Sequence, residues 1–251
     1  MESTPDRIQE INQTLSSLLD GRDFRLVGRF PSRKNSVMLL DLGAGRVVLK
    51  LFSEPFIENA RKEYEILKAA HLKGLNVPEP YCLREKAIFM EYLDGENLCD
   101  LVNESPREEY ATEIARWFSE FHHAFRNGDN FLLKSDSILR NFIYKGKLWA
   151  VDFEEACSGD PAQDIGEVCA SILDTNPMFT SGKFSLSRRL IDSYEEFSGL
   201  KIKDRIDHFI SVALLEAAGR RPEQREYLVE KAKAIDSEGL EGHIMGHGYR
   251  E

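Results

Sequence analysis

The patterning of the chain changes character near residue 94, and no other feature limits its fold as much. Before that point, short apolar runs broken by turn signals fill residues 24–28, 36–42, 46–52, 81–84 and 87–92. Gly43-Ala44-Gly45 sits between the second and third runs and predicts a tight turn, hence an antiparallel meander. One helical pattern interrupts the strands at 56–73, with Ile57, Ala60, Tyr64 and Leu67 on one face. Gly74 stops it and Pro78-Glu79-Pro80 blocks any restart. Past Asp94-Gly95 the apolar spacing turns helical at 97–102, 107–126, 164–173, 185–197, 204–218 and 222–236. Residues 141–144 and 148–151 read as a small hairpin about Lys145-Gly146. Ile8, Ile11, Leu15, Leu18 and Leu19 predict a further helix at the N-terminus, and the stretch from Glu238 reads as frayed. The expected class is α+β. Residues 1–93 hold a terminal helix, a five-stranded sheet and one helix, and 94–251 form a mostly helical half.

Composition narrows the function. The net charge of −10 argues against nucleic acid or an anionic membrane as partner, although residues 29–34 form a local basic patch. No basic region followed by an apolar stretch opens the chain, and no apolar run approaches the ~20 residues of a membrane span. The protein is therefore expected to be cytoplasmic. Cys82, Cys99, Cys157 and Cys169 lack paired metal-ligand spacing and read as reduced, partly buried thiols. His122-His123 reads as packing on a helix flank, and the i,i+4 pair His243 and His247 as tail rather than metal site.

Some residues break the pattern in ways that suggest chemistry. Lys50 interrupts the apolar strand Val47-Val48-Leu49-Lys50-Leu51, where alternation puts it on one face with Val48. It either meets an anion or is an edge-strand lysine reaching water. Glu63, on the next helix, is a candidate partner, though a solvated helix face would also supply Glu63 or Glu65. Asp136 and Asn141 form an Asp-x-x-x-x-Asn loop leading into a strand, a spacing that loops also produce by chance. Asp152 ends the apolar strand after that hairpin, where it either shares a cation with Asn141 or begins a turn. Phosphoryl transfer needs a phosphate-binding cation, an anion that orients it, a carboxylate at the acceptor hydroxyl and oxygen ligands for a metal. These residues fill those roles in one consistent order.

In that order the sequence resembles the protein-kinase-like superfamily, nearest the branch of aminoglycoside and choline phosphotransferases and lipopolysaccharide-core (Kdo) kinases. The resemblance runs from about Phe24 to the helices after Asp164. It implies a bilobal fold that binds ATP and Mg2+, with Mn2+ as an alternative, between the lobes. Asp136 would be the catalytic base, Asn141 and Asp152 the metal ligands, and Lys50 with Glu63 the phosphate anchor. Ser32 and Asn35 would lie in the phosphate-covering loop. Phe89-Met90-Glu91-Tyr92-Leu93 resembles the hinge, with Met90 as gatekeeper and the Glu91 carbonyl and Leu93 amide facing adenine. Gly159-Asp160-Pro161-Ala162-Gln163-Asp164 resembles the segment in which Asp164 braces the catalytic loop through backbone hydrogen bonds.

Departures from that pattern refine the expectation. The family's His-Gly-Asp or His-Arg-Asp reads Lys134-Ser135-Asp136, and the interval 152–164 is too short for a phosphorylated activation loop. Ile138 stands where relatives carry Lys or His for the γ-phosphate, leaving Arg140 or Lys134 to compensate. The loop 28–36 holds a single glycine, which suits a small-molecule kinase. Glu154, Glu155 and Asp160 would suit a cationic acceptor. Three functions follow: transfer of the ATP γ-phosphate to a small-molecule hydroxyl, an atypical Ser/Thr protein kinase, or a nucleotide-binding regulatory pseudokinase. The acceptor and the oligomeric state are not encoded legibly.

Overall fold

A computed structural model describes residues 17–19, 21 and 23–245. β1 (Arg25–Phe30), β2 (Ser36–Asp41) and β3 (Arg46–Leu51) form the meander, joined to β4 (Pro80–Arg84) and β5 (Ala87–Glu91). All pairs are antiparallel, in the order β1-β2-β3-β5-β4. Gly43, at φ +77°, lets the Leu42 amide donate to the Gly45 carbonyl at 3.0 Å and closes the β2–β3 turn. One face of the sheet buries Met38, Leu40, Leu49, Ala87 and Phe89 with Leu18 and Leu19. The opposite face meets α1 (Ile57–Leu72), which buries Ala60, Glu63, Leu67 and Ala70. The expected N-terminal helix lies almost wholly outside the described residues.

The chain divides into two compact units. One holds the described residues up to His71 together with Pro78–Leu93; the other holds Leu72–Val77 and the described residues from Asp94 onward. The short segment Leu72–Val77 joins the second unit because its backbone is used there. The Asn76 carbonyl accepts from the Ala150 amide at 3.1 Å and from Trp117 Nε1 at 3.1 Å.

The second unit begins with β6 (Glu96–Asn97), α2 (Leu98–Glu104) and α3 (Glu108–Ala124). β7 (Phe131–Leu133) pairs with β10 (Cys157–Gly159), while β8 (Phe142–Tyr144) lies between β6 and β9 (Leu148–Ala150). The two-residue and three-residue strands β6, β7 and β10 are too short for a periodic signal, so the sequence did not announce them. α4 (Pro161–Leu173), α5 (Ser181–Ser198), α6 (Ile206–Arg220) and α7 (Arg225–Met245) complete it. α4 begins at Pro161 rather than 164 because Asp160 caps it, accepting from the Ala162 amide at 2.9 Å with proline in the first turn. α4 and α6 approach closely at Gly166, where an added Cβ would come within 2.6 Å of Phe209 Cβ.

The expectation of fraying from Glu238 is corrected. α7 breaks at Gly239 (φ +76°), but Leu240 beyond the break is buried and its amide donates to Asp207 Oδ1 at 3.1 Å. The glycine redirects the chain onto α6 instead of ending its order. Of the pair His243 and His247, the second lies outside the described residues, as does the side chain of the first. Among the described residues no helix is long and apolar enough to cross a membrane.

Candidate active site

Sheet order decides the reading of Lys50. β3 is the central strand of five, so Lys50 cannot be an edge residue reaching for water. Its side chain is only 6% exposed, and Nζ donates to Glu63 Oε2 at 2.7 Å. Nζ also stands 5.0 Å over the Phe52 ring. The partner is Glu63 and not Glu65, since Glu63 is buried on the sheet-facing side of α1 and Glu65 is exposed. A buried pair of this kind strains the fold if either member is lost, because an uncompensated charge remains inside.

The other expected residues of the first unit occupy its loops and strand ends. Ser32 and Asn35 are brought together, the Asn35 amide donating to Ser32 Oγ at 3.2 Å. Asn35 is buried and its Oδ1 accepts from the Ser53 amide at 3.4 Å, which ties the 28–36 loop to the end of β3. Met90 is buried on β5, registered against Val48 and Pro80. The Glu91 amide donates to the Glu79 carbonyl at 2.9 Å, and Leu93 is the buried last residue of the unit.

In the second unit the loop that carries Asp136 is a strained turn held by carboxylates. Ser135 and Asp136 have φ of +54° and +42°, a region non-glycine residues avoid unless their surroundings enforce it. Asp164, fully buried, enforces it. Its Oδ2 accepts from the Lys134 amide at 2.8 Å, and its Oδ1 accepts from the Ser135 amide at 2.8 Å and from Ser137 Oγ at 2.7 Å. The bracing implied by the resemblance is thus present. Burial pushes the Asp164 carboxyl up, but hydrogen bonds and charge from His122, Ser137 and Lys134 outweigh it and hold it below the carboxylate range.

Asp136 itself is exposed. Asn141 turns back toward it, Nδ2 donating to the Asp136 carbonyl at 2.8 Å and to Oδ2 at 3.0 Å. With its nitrogen so engaged, the amide oxygen of Asn141 is its candidate atom for a cation. Asp152 lies close by in the chain's hydrogen bonding: the Val151 amide donates to the Asn141 carbonyl at 3.0 Å. Asp152 has φ +66°, again a strained residue at a candidate site. Asp152 and Glu154 each present a carboxylate oxygen within 4.8 Å of the other's. Carboxylate and amide oxygens are the hard donors Mg2+ selects, so Asn141, Asp152 and Glu154 fit that ion. Glu154 was read only as acidic surroundings. Its burial next to Asp152 is what marks it as a ligand candidate.

Residues missed in the sequence hold these groups in place. Phe142 follows Asn141, Phe153 follows Asp152, and both are fully buried beside α3. Trp117 stacks on Phe121 with centroids 5.1 Å apart and meets Phe142 edge-on at 6.0 Å; Phe121 meets Phe153 at 5.9 Å. An aromatic next to each candidate ligand was the available signal. His122 is more than packing: its Nε2 lies 3.1 Å from Asp164 Oδ2 and its Nδ1 2.7 Å from the Tyr194 hydroxyl.

Two expectations are corrected. Lys134 is fully buried rather than displayed to a phosphate; Nζ donates to the Asp152 carbonyl at 3.0 Å and lies over the Phe142 and Phe153 rings. Burial lowers its pKa, opposed by the carboxylates of Asp152, Asp136, Asp164 and Glu167. Cys157 is exposed, unlike the other cysteines, on the short strand β10, all of whose residues are exposed; its Sγ lies 3.3 Å from Ser135 Oγ.

Comparison with known proteins agrees with this geometry. Residues 53–155 match the RIO domain family. A stretch of 111 residues is 37% identical to the KEOPS complex subunit Bud32 of Pyrococcus abyssi (strain GE5 / Orsay), covering 42% of this chain and 46% of that relative. The chain therefore spans about half the length of the curated relative it matches. Among solved structures, a choline/ethanolamine kinase family protein from Mesorhizobium loti superposes with a TM-score of 0.68 at 16% identity, over 95% of this chain and 99% of the other. An amicoumacin kinase solved with AMP-PNP and Ca2+ gives 0.71 at 12% identity, over 91% and 92%. Choline kinase from Cryptosporidium parvum Iowa II gives 0.63 at 9%, over 92% and 94%. The chain thus has the protein-kinase-like fold of these structures, and its residues 53–155 are similar to a RIO domain.

Proposed function

We propose that the protein is an ATP- and Mg2+-dependent phosphotransferase that moves the γ-phosphoryl group to a hydroxyl. The observation that carries this reading is the Asp136–Asn141 pair, an exposed carboxylate on a strained backbone with a metal-competent amide turned back upon it. In the first unit, Lys50 oriented by Glu63 binds the α- and β-phosphates, and Ser32 and Asn35 shape the loop over them. Met90, the Glu91 carbonyl and the Leu93 amide receive adenine. In the second unit, Asn141 and Asp152, with Glu154, would hold a Mg2+ ion, whose chemistry there would be charge neutralisation at the phosphates. Asp136 accepts the proton of the acceptor hydroxyl. The acceptor's hydroxyl oxygen bonds to the γ-phosphorus as the bond to the β-phosphate oxygen breaks, and ADP leaves.

The acceptor reading rests on the connection after Asp152. Only eight residues, 153–160, separate it from α4, too few for the long segment on which a peptide substrate would be laid. That favours a small molecule; Asp160 is taken up by Arg205 at 2.6 Å and by capping α4, which leaves Glu154 and Glu155 to favour a cationic one. The RIO-domain match favours a protein acceptor as the second reading. Transfer of labelled phosphate to a panel of amino alcohols, aminoglycosides and neutral sugars, beside generic protein substrates, separates them. Preference for cationic small molecules supports the first; transfer to protein alone removes it. Asp136→Asn should abolish transfer while leaving Mg-ATP binding by thermal shift intact. Binding without turnover in the unaltered protein would instead indicate a nucleotide-binding regulator.

A further inference from the structure

Asp164 holds the Lys134 and Ser135 amides before Asp136 and the Ser137 hydroxyl after it, but not the Ser137 amide. The Ser137 amide donates to Glu167 Oε2 at 2.8 Å, one turn along α4 from Asp164. The other oxygen, Oε1, accepts from Gln163 Nε2 at 3.4 Å, which fixes the carboxyl's rotamer. The amides on both sides of Asp136 therefore end on carboxylates of one helix. With φ of +54° and +42° at Ser135 and Asp136, a loop of this shape relaxes once either end is released.

We propose that Glu167 is a positioning residue for the catalytic loop, holding Ser137 so that the Asp136 carboxylate keeps its place against the acceptor hydroxyl. The proposal rests on the phosphotransferase reading for its catalytic consequence, and on the geometry alone for its structural one. The charged groups facing Glu167 are Asp164 on its own helix and Lys134 from the catalytic loop; Gln163 and the Ser137 amide are its neutral neighbours. Burial, then the Asp164 carboxylate, push its carboxyl up to about 7, against the pull of the Ser137 amide, Gln163 and Lys134. A carboxylate accepts a hydrogen bond more strongly than the neutral acid does. The grip on Ser137 therefore tightens as pH rises through neutrality.

The test has a structural and a kinetic arm. In the unaltered protein the Ser137 amide resonance should titrate with a midpoint near neutrality, and in Glu167→Gln that titration should vanish. In Glu167→Ala the amides of 135–137 should exchange with solvent at least about 10-fold faster, the sign of a loop opened locally. Kinetically, Glu167→Ala should lower kcat on the order of 10-fold with KM for ATP held within about 2-fold, because misplacing a reacting group costs rate rather than nucleotide binding. Wild-type kcat should fall below neutral pH, and Glu167→Gln should lack that limb. An untitrating Ser137 amide, or unchanged exchange in Glu167→Ala, overturns the positioning role whether or not the enzyme turns over. Loop effects as predicted, but with transfer indifferent to Asp136→Asn, would sink the catalytic reading and leave the structural role standing.

Discussion

The two units fix their charged groups by opposite means. In the first, Lys50 and Glu63 hold each other directly, charge to charge, inside a sheet–helix interface. In the second, Asp136 is exposed, and the side chain that reaches its carboxylate is the neutral amide of Asn141. What is fixed is the backbone on either side of it, by Asp164, Glu167 and Asn141. A group that must bind a polyanion can be buried and paired until the ligand arrives. A group that must accept a proton has to stay exposed, so its placement is delegated to the main chain. The difference teaches that the first device fails locally and the second fails as a whole.

That contrast can be broken experimentally, beginning with the largest effect. Asp136→Asn should cut transfer by about 10²–10⁴-fold, the usual worth of a positioned base, with no loss of stability since the side chain is exposed. Asp164→Ala should cost about 3–5 kcal/mol in denaturant unfolding, because it orphans buried donors from Lys134, Ser135 and Ser137. It should also speed amide exchange across the whole loop. Glu63→Ala should cost about 1.5–3 kcal/mol by removing the charge-assisted hydrogen bond that Lys50 Nζ donates, and should weaken nucleotide binding. Amide exchange at 134–137 should not change in that variant; if it does, the two devices are not independent.

The smallest effect is one of pH. Burial, then the Asp164 carboxylate, push the Glu167 carboxyl from its ordinary 4.5 up to about 7 in the folded chain. A raised carboxyl pKa contributes stability at low pH that is lost as pH rises through the folded value. Glu167→Gln should therefore melt with the wild type near pH 5 and above it at about pH 8. Equal melting at both values would place Glu167 in a more solvated setting than its contacts with Ser137 and Gln163 indicate.

Much of this was legible in the chain before it folded. Strand periodicity and the Gly43 turn gave the meander, and the order Lys50, Glu63, Asp136, Asn141, Asp152 gave the kinase-like reading, because local spacing encodes which residue types share a short segment. Lys134 shows where such reading stops. A lysine next to a candidate base suggested a phosphate ligand, yet burial under Phe142 and Phe153 turns its ammonium to the Asp152 carbonyl. Glu154 was likewise legible only as acidic surroundings for a cationic acceptor, and His122 only as packing on a helix flank.

By itself, the sequence determined the α+β pattern and the set of groups available for phosphoryl transfer, since propensity and spacing act over a few neighbouring residues. Only the tertiary structure decided that Lys50 lies on a central strand, that Glu63 and not Glu65 meets it, and that α4 holds the loop around Asp136. Those outcomes depend on which distant segments come into contact and exclude water, and burial of that kind is a property of the assembled core.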